Sequence, residues 1–474
     1  MADRLSPLDA SFLYMEDRTT PMHVGGVVIV DAPDGGFDYE QLVLLVSERL
    51  SQVPRYRQKI RWVPGHLANP VWVDDAQFDV TYHVRRGALP RPGTDEQLRD
   101  LVGRLQSRPL DRARPLWEVY LVEGLSGNRV AIITKTHHAV VDGVAALDIG
   151  SVMLDQTPEP RATPSGSWDP QAPPSGVELV GEALVDWLRR PAHVAEAAST
   201  AAFAALTDAR RFAGAAGRTV TGVLSAARSQ ASSAPDSPLN ATIGEQRRFG
   251  MTATSLEDYK LVRKAHGGTV NDVVLAVVAG ALRSWLLTRG ERVTPSTSVR
   301  AMVPVSIRSD APEAGSSDSG GSTGNRVASY FVELPVGEPD PVVRLSQISY
   351  EMEAHKAAQQ LVGAEALIGL TGFAPPTLHA AAARLASDWS RRVFNLVVTN
   401  VPGPQFPLYA AGARMQSLYP VVPLAKGQAV SVGITSYNGG VYYGLNADRD
   451  AMPDVDVLAQ CIEESLEELL ETVG

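Results

Sequence analysis

The chain has 474 residues, 44% apolar and 20% charged, an ordinary globular composition and more chain than one typical domain uses. Its formal net charge is −10, with Lys and Arg scattered along it, which excludes a nucleic-acid partner that needs a basic face. The single cysteine, Cys461, rules out an intramolecular disulfide and fits a reducing, cytoplasmic compartment.

The N-terminal segment MADRLSPLDASFLYMED carries acids early and does not read as a secretory signal. Residues 24–31 (VGGVVIVD) read as a strand. Asp38 then caps a helix, with Gln41 as its capping-box partner and Leu42, Leu45, Val46 and Leu50 as the apolar stripe. Thr94 and Gln97 open a second helix in the same way. Residues 117–125 and 129–136 form a hairpin through the turn Ser126, Gly127, Asn128. Its second strand ends at the pair His137 and His138, where strand gives way to loop.

Residues 157–175 are rich in Pro, Ser and Gly and read as linker. Residues 176–231 are Ala-rich, with Val180, Leu184, Trp187 and Leu188 at helical spacing. They read as a helical crossover packed on the second half, or else as an interfacial helix that touches lipid. The α/β pattern then restarts. Ser255 caps a helix ending at Gly267, and Thr269 caps the next, which Gly290 stops. The apolar stretch at 273–282 is expected to be buried and too short to span a bilayer. Strands follow at 298–308 and 326–336, helices near 342–360 and 377–386, strands at 394–399, 429–435 and 441–446, and a closing helix at 454–472. The alternation predicts an α/β fold in two domains, 1–160 and 241–474, joined by a linker and crossover at 161–240.

A base for a neutral hydroxyl works best with a pKa near working pH, which histidine has without large tuning. Asp142 can return through the tight loop after the pair, and Gly143 allows a close approach there. Adjacent residues of a strand face opposite ways, so His137 and His138 do not readily share one metal. No CxxC or HExxH accompanies them, and no GxSxG elbow points to a serine hydrolase. No metal is expected. Taken alone, these residues support only a possible base at a strand end.

HHxxxDG at 137–143 is the signature of the CoA-dependent acyltransferase superfamily. LSPLDASFLYME (5–16), RPLWE (114–118), GGTVNDVVLA (267–276), PVSIR (304–308), GNR (324–326) and TNVPGP (399–404) stand in order along both halves. Together they resemble the bacterial wax ester synthase/diacylglycerol acyltransferase family. Thr399 replaces a serine frequent there and keeps the hydroxyl.

The resemblance implies two chloramphenicol-acetyltransferase-like α/β domains with the active site in a channel between them. His138 would take the proton from an acceptor hydroxyl, which attacks a long-chain acyl-CoA thioester without an acyl-enzyme. His137, Asp142 and Gly143 complete the motif, with Asp142 a brace and Arg308 its candidate partner. Asn271, Asp272, Arg308, Thr399 and Asn400 are candidates for substrate and oxyanion contacts. For Asn271 and Asp272 simple helix capping is the competing reading, and for TNVPGP a rigid turn. Pro115, Leu116 and Trp117 read as hairpin packing. No covalently bound cofactor is implied; acyl-CoA is a co-substrate, and diacylglycerol or a long-chain alcohol is the acceptor. The protein would lie at the periphery of the inner membrane or of lipid bodies. Two other readings compete: a transferase acting on a carrier-protein thioester, and a non-catalytic lipid-surface binding protein.

Overall fold

Runs of β-branched residues with period two build the first sheet. In the strand His23–Asp31, Val27 and Ile29 face one way while Val28 and Val30 face the other, and all four are buried. Both faces are therefore covered. Residues 3–32, 37–141, 149–161, 168–188, 233–307, 326–357, 362–363 and 393–473 are described in this computed structural model.

In chain order the elements are β1 (Asp3–Arg4), α1 (Pro7–Met15), β2 (His23–Asp31), α2 (Tyr39–Arg49), β3 (Gln58–Arg61), β4 (Val71–Asp74), α3 (Val80–His83), β5 (Val84–Ala88), α4 (Asp95–Gln106), β6 (Trp117–Leu125), β7 (Arg129–His137), α5 (Ile149–Met153), β8 (Leu154–Asp155) and α6 (Gly176–Leu188). The second half continues with β9 (Arg247–Ser255), α7 (Leu256–His266), α8 (Val270–Thr288), β10 (Val299–Ile307), β11 (Arg326–Leu334), α9 (Pro341–Ala357), β12 (Val362–Gly363), β13 (Leu396–Pro402), β14 (Tyr409–Ala410), β15 (Ala413–Val421), β16 (Val430–Tyr437), β17 (Gly440–Asp448) and α10 (Val455–Glu471).

Two seven-stranded sheets result, in the orders β5-β6-β7-β2-β15-β14-β8 and β12-β11-β10-β13-β16-β17-β9, beside a small sheet β1-β4-β3. One face of the first sheet packs on α1 and α2 through Leu13, Leu42, Val46 and Trp117. Its other face packs on α4 through Leu98, Val102 and Leu105. The second sheet carries α7 to α10 on one face around Val273, Leu275, Trp285 and Leu466.

The division at 160 and 241 misses one crossing. β14 and β15 come from the second half yet complete the first sheet, β15 running antiparallel to β2. The end of β15 lies flat on the second sheet. Gly433 and Gly444 face each other across β16 and β17, and a Cβ on Gly444 would fall 1.9 Å from the Pro420 carbonyl oxygen. Side chains at this notch would push the sheets apart.

Thr94 and Gln97 form the expected reciprocal capping box. Asp38 instead accepts from the N–H groups of Glu40 and Gln41, with no return bond from Gln41. Ser255 stands at its N-cap position without a side-chain bond. α6 corrects the stripe expected of it: Leu179 and Ala183 are buried against Val63, Val71 and Val73, while Leu184 is 51% exposed. The hydrophobic partners lie on β4 and the turn before it, which favours the 179/183 pair over the 180/184 pair. α8 also departs from expectation. At 19 residues it is long and apolar enough to cross a membrane, yet 72% of its apolar window is buried. It is the central helix of the second core. The expected helix near 377–386 lies outside the described residues.

Candidate active site

β7 ends where the histidine pair begins, and its neighbours fix both rings. His137 closes the strand, paired with His23 of β2. Its Nδ1 accepts the N–H of Ala139 at 3.0 Å, and its carbonyl accepts from Val140 at 2.9 Å. The ring thus clamps the turn it begins. Its Nε2 stands 3.5 Å from Glu16 Oε2.

Glu16 follows α1 and is buried among cations and rings. Its carboxylate meets His137, lies 3.4 Å from His23 Nε2, and accepts from Arg112 Nε at 3.1 Å. Burial alone would raise its carboxyl. Hydrogen bonds from His137 and His23, with the charges of His137 and Arg112, outweigh that and hold it well below the usual carboxylate range. His23 is pushed down to about 3, chiefly by burial. Lys135, two residues before His137, is buried and donates to the Leu105 carbonyl at 2.9 Å and to that of Arg108. It caps the C-terminal end of α4, and burial lowers it to about 8.

His138 leaves the strand. Its N–H donates to the Met22 carbonyl at 2.8 Å, and its ring stacks on Phe12 of α1 with centroids 3.9 Å apart and planes 19° off parallel. Burial lowers it to about 4, and the neighbouring His137 adds in the same sense. No described residue hydrogen-bonds its Nε2. The two rings do separate work: His137 holds the turn, and His138 is a neutral, half-buried imidazole with a free nitrogen. Among the described residues no cluster could hold a metal ion.

A second polar group lies in the other half. Thr269 and Asp272 form a reciprocal capping box at the start of α8, and Asp272 Oδ2 also accepts from Ser349 at 3.1 Å. Asp272 is therefore a capping residue. Asn271 sits beside it at the helix N-terminus, and its Oδ1 accepts from Asn400 Nδ2 at 3.0 Å. Asn400 stands on β13, whose parallel pairing with β16 brings it to that helix end. Thr399 pairs through its backbone with Gly433 and makes no side-chain bond to a described residue. Trp117 is fully buried, donates to the Tyr56 carbonyl at 2.7 Å and stacks on His83, so it is packing as expected. Asp142, Gly143 and Arg308 lie outside the described residues.

Glu16, Phe12 and His23 were missed as site residues. The only sequence signal for the first two was the segment 5–16, legible as a family mark and not as chemistry.

The model of the wax ester synthase/diacylglycerol acyltransferase catalytic domain matches residues 5–274, and that of the WS/DGAT C-terminal domain matches 323–470. The chain belongs to the wax ester synthase/diacylglycerol acyltransferase family. It is 49% identical to the probable diacylglycerol O-acyltransferase tgs3 of Mycobacterium tuberculosis over 56% of this chain and 96% of that one. It is 34% identical to tgs1 of the same organism over 99% and 96% of the two chains. Among solved structures, the wax ester synthase/diacylglycerol acyltransferase of Marinobacter aquaeolei VT8 matches with a TM-score of 0.69 and 30% identity, over 99% of this chain and all of that one. This member of the family is accordingly an O-acyltransferase with the family's two-domain α/β fold.

Proposed function

We propose that this acyltransferase moves a long-chain acyl group from acyl-CoA to the hydroxyl of diacylglycerol, or of a long-chain alcohol, with His138 as general base. The observation that carries the reading is the state of His138. It is neutral at working pH, locked against Phe12 and the Met22 carbonyl, and has Nε2 unclaimed by any described residue. In the proposed step the acceptor hydroxyl gives its proton to Nε2 as its oxygen bonds to the thioester carbon. The tetrahedral oxyanion then collapses, the C–S bond breaks, and His138 returns the proton to the departing CoA sulfur. No acyl-enzyme forms. The amide of Asn271, at the positive end of α8, is suited to polarise the thioester carbonyl or hold the acceptor. Asp142 would brace the loop, with Arg308 its candidate partner. A depressed pKa keeps the whole population in the basic form, at some cost in driving force.

The test is CoA release and triacylglycerol formation by purified protein given palmitoyl-CoA and diacylglycerol, with hexadecanol as a competing acceptor. His138→Ala should lower the rate by roughly two to four orders of magnitude. A folded His138→Ala protein with near-normal turnover would remove the base assignment.

We also propose that the protein works at a lipid surface, as a cytoplasmic protein peripheral to the inner membrane or lipid bodies. Supporting this, α6 leaves Val177, Leu184 and Val185 exposed. Leu184→Lys with Val185→Lys should weaken flotation with liposomes while leaving turnover on dispersed substrate intact. Unchanged flotation would sink the idea.

A further inference from the structure

We propose that Arg247 is a positioning residue for acyl transfer: from the second half of the chain it holds the turn that fixes the backbone of His138. The proposal rests on His138 being the base. Arg247 opens β9, the edge strand of the second sheet, and its side chain is buried. Its guanidinium donates to the Gly244 carbonyl at 2.8 Å, to the Gln246 carbonyl at 3.0 Å, and across to the Thr19 carbonyl of the first half. Asp448 Oδ2 lies 3.6 Å away as its charge partner. Its own N–H donates to Ser107 Oγ at 2.8 Å, and a Cβ on Gly103 of α4 would come within 2.8 Å of its carbonyl oxygen. The start of β9 is thus bolted to α4 and cannot drift.

Thr19 lies in a tight turn organised by Asp17, whose Oδ1 accepts from the Thr19 N–H at 2.8 Å and the Thr20 N–H at 2.9 Å. Two further residues of the second half reach that turn: Glu245 pairs with Arg18 at 3.0 Å, and Lys426 approaches Asp17 at 3.9 Å. Both pairs are exposed to solvent and weak. Arg247 is the buried contact of the three. Past the turn, the Met22 carbonyl accepts the His138 N–H, and the Met22 N–H donates to Glu16 Oε1 at 3.3 Å. The path from Arg247 to His138 therefore runs along four residues, Thr19 to Met22.

A loosened turn lets the His138 ring slip on Phe12 and admits water. Two effects follow together: misplacement of the base lowers turnover, and hydration lifts its depressed pKa. Arg247→Met removes the donors and keeps the bulk. Arg247→Lys keeps the charge beside Asp448 but lacks the fork that serves Thr19 and Gly244 at once. The experiment measures CoA release from palmitoyl-CoA with diacylglycerol against pH, alongside thermal unfolding. We expect kcat to fall roughly tenfold in both variants, with KM for acyl-CoA within about twofold and the acid limb of the kcat profile moved upward. Arg99→Gln is the control, because its pair with Asp456 at 3.0 Å also joins the halves but touches nothing near the turn; it should stay within about twofold. Should Arg247→Met fail to fold, Arg247→Lys decides alone. Wild-type kcat and acid limb in a folded Arg247→Lys protein overturn the proposal, as does an equal loss in Arg99→Gln. Failure of the underlying base assignment would appear separately, as activity retained by His138→Ala.

Discussion

The two polar regions of this molecule are built on opposite principles. Around β7, Glu16, His23, His137, Lys135 and Arg112 form a dense set of ionisable groups, each tied to a partner. At the head of α8, the amides of Asn271 and Asn400 meet each other beside a capped helix terminus. One region holds titratable groups; the other offers fixed dipoles that do not titrate. Acyl transfer asks for both, because a proton moves at one oxygen while negative charge grows on another. In the proposed reaction, dividing these tasks between two halves would keep the charge network from competing with the oxyanion for the same donors.

Substitutions in the two regions test this contrast. The largest effect is expected at His138, as given above. Asn271→Ala should cost about a hundredfold in turnover, yet leave the acid limb of the pH profile where it was. An acid limb that moves in Asn271→Ala would mean that the two regions are not separate. Glu16→Gln should cost roughly tenfold or more, since it frees the His137 ring that clamps the turn and leaves Arg112 without its charge partner. Amide exchange at Ala139 should quicken in that variant; protection equal to wild type would argue that His137 holds the turn unaided. Phe12→Leu removes the stack on His138 and should cost only a few-fold. Its value is in the pH profile, where the acid limb should rise from about 4 toward the ordinary histidine range.

Stability gives the mildest test. His23 is held neutral at about 3 and His138 at about 4, against about 6.5 in an unfolded chain. Between these values the unfolded chain binds more protons, so their contribution is intact above about pH 6.5 and is lost as pH falls. Glu16 acts in the same sense below about 4.5, because its carboxyl is held low in the fold. The melting temperature should therefore decline steadily from pH 7 to pH 4. A flat profile there would show that the histidines are hydrated in the native state.

What could be read from the sequence followed the range of the forces involved. Capping at Thr94 and Thr269, the hairpin at 126–128 and the burial of α8 are local or periodic, and they were legible. The register of α6 was not, because Leu179 and Val180 are equally apolar and only Val63, Val71 and Val73 choose between them. β15 alternates with period two, but nothing along the chain says that its partner is β2, nearly four hundred residues earlier. The candidate site divides the same way. The histidine motif was plain, while Glu16 and Phe12 became chemistry only once α1 lay against β7. Asn271 and Asn400 were named singly, and their bond follows from the parallel pairing of β13 with β16.

The loan of β15 to the first sheet also bears on how the chain can be cut. Without that strand, β2 would become an open edge: a long row of Val and Ile backbone with unpaired N–H and C=O groups. A fragment ending near residue 240 would carry that edge into solvent and seek a strand from a neighbour. Severed at the crossover, the enzyme should recover only when both pieces are made together, and the first piece alone should aggregate as it folds.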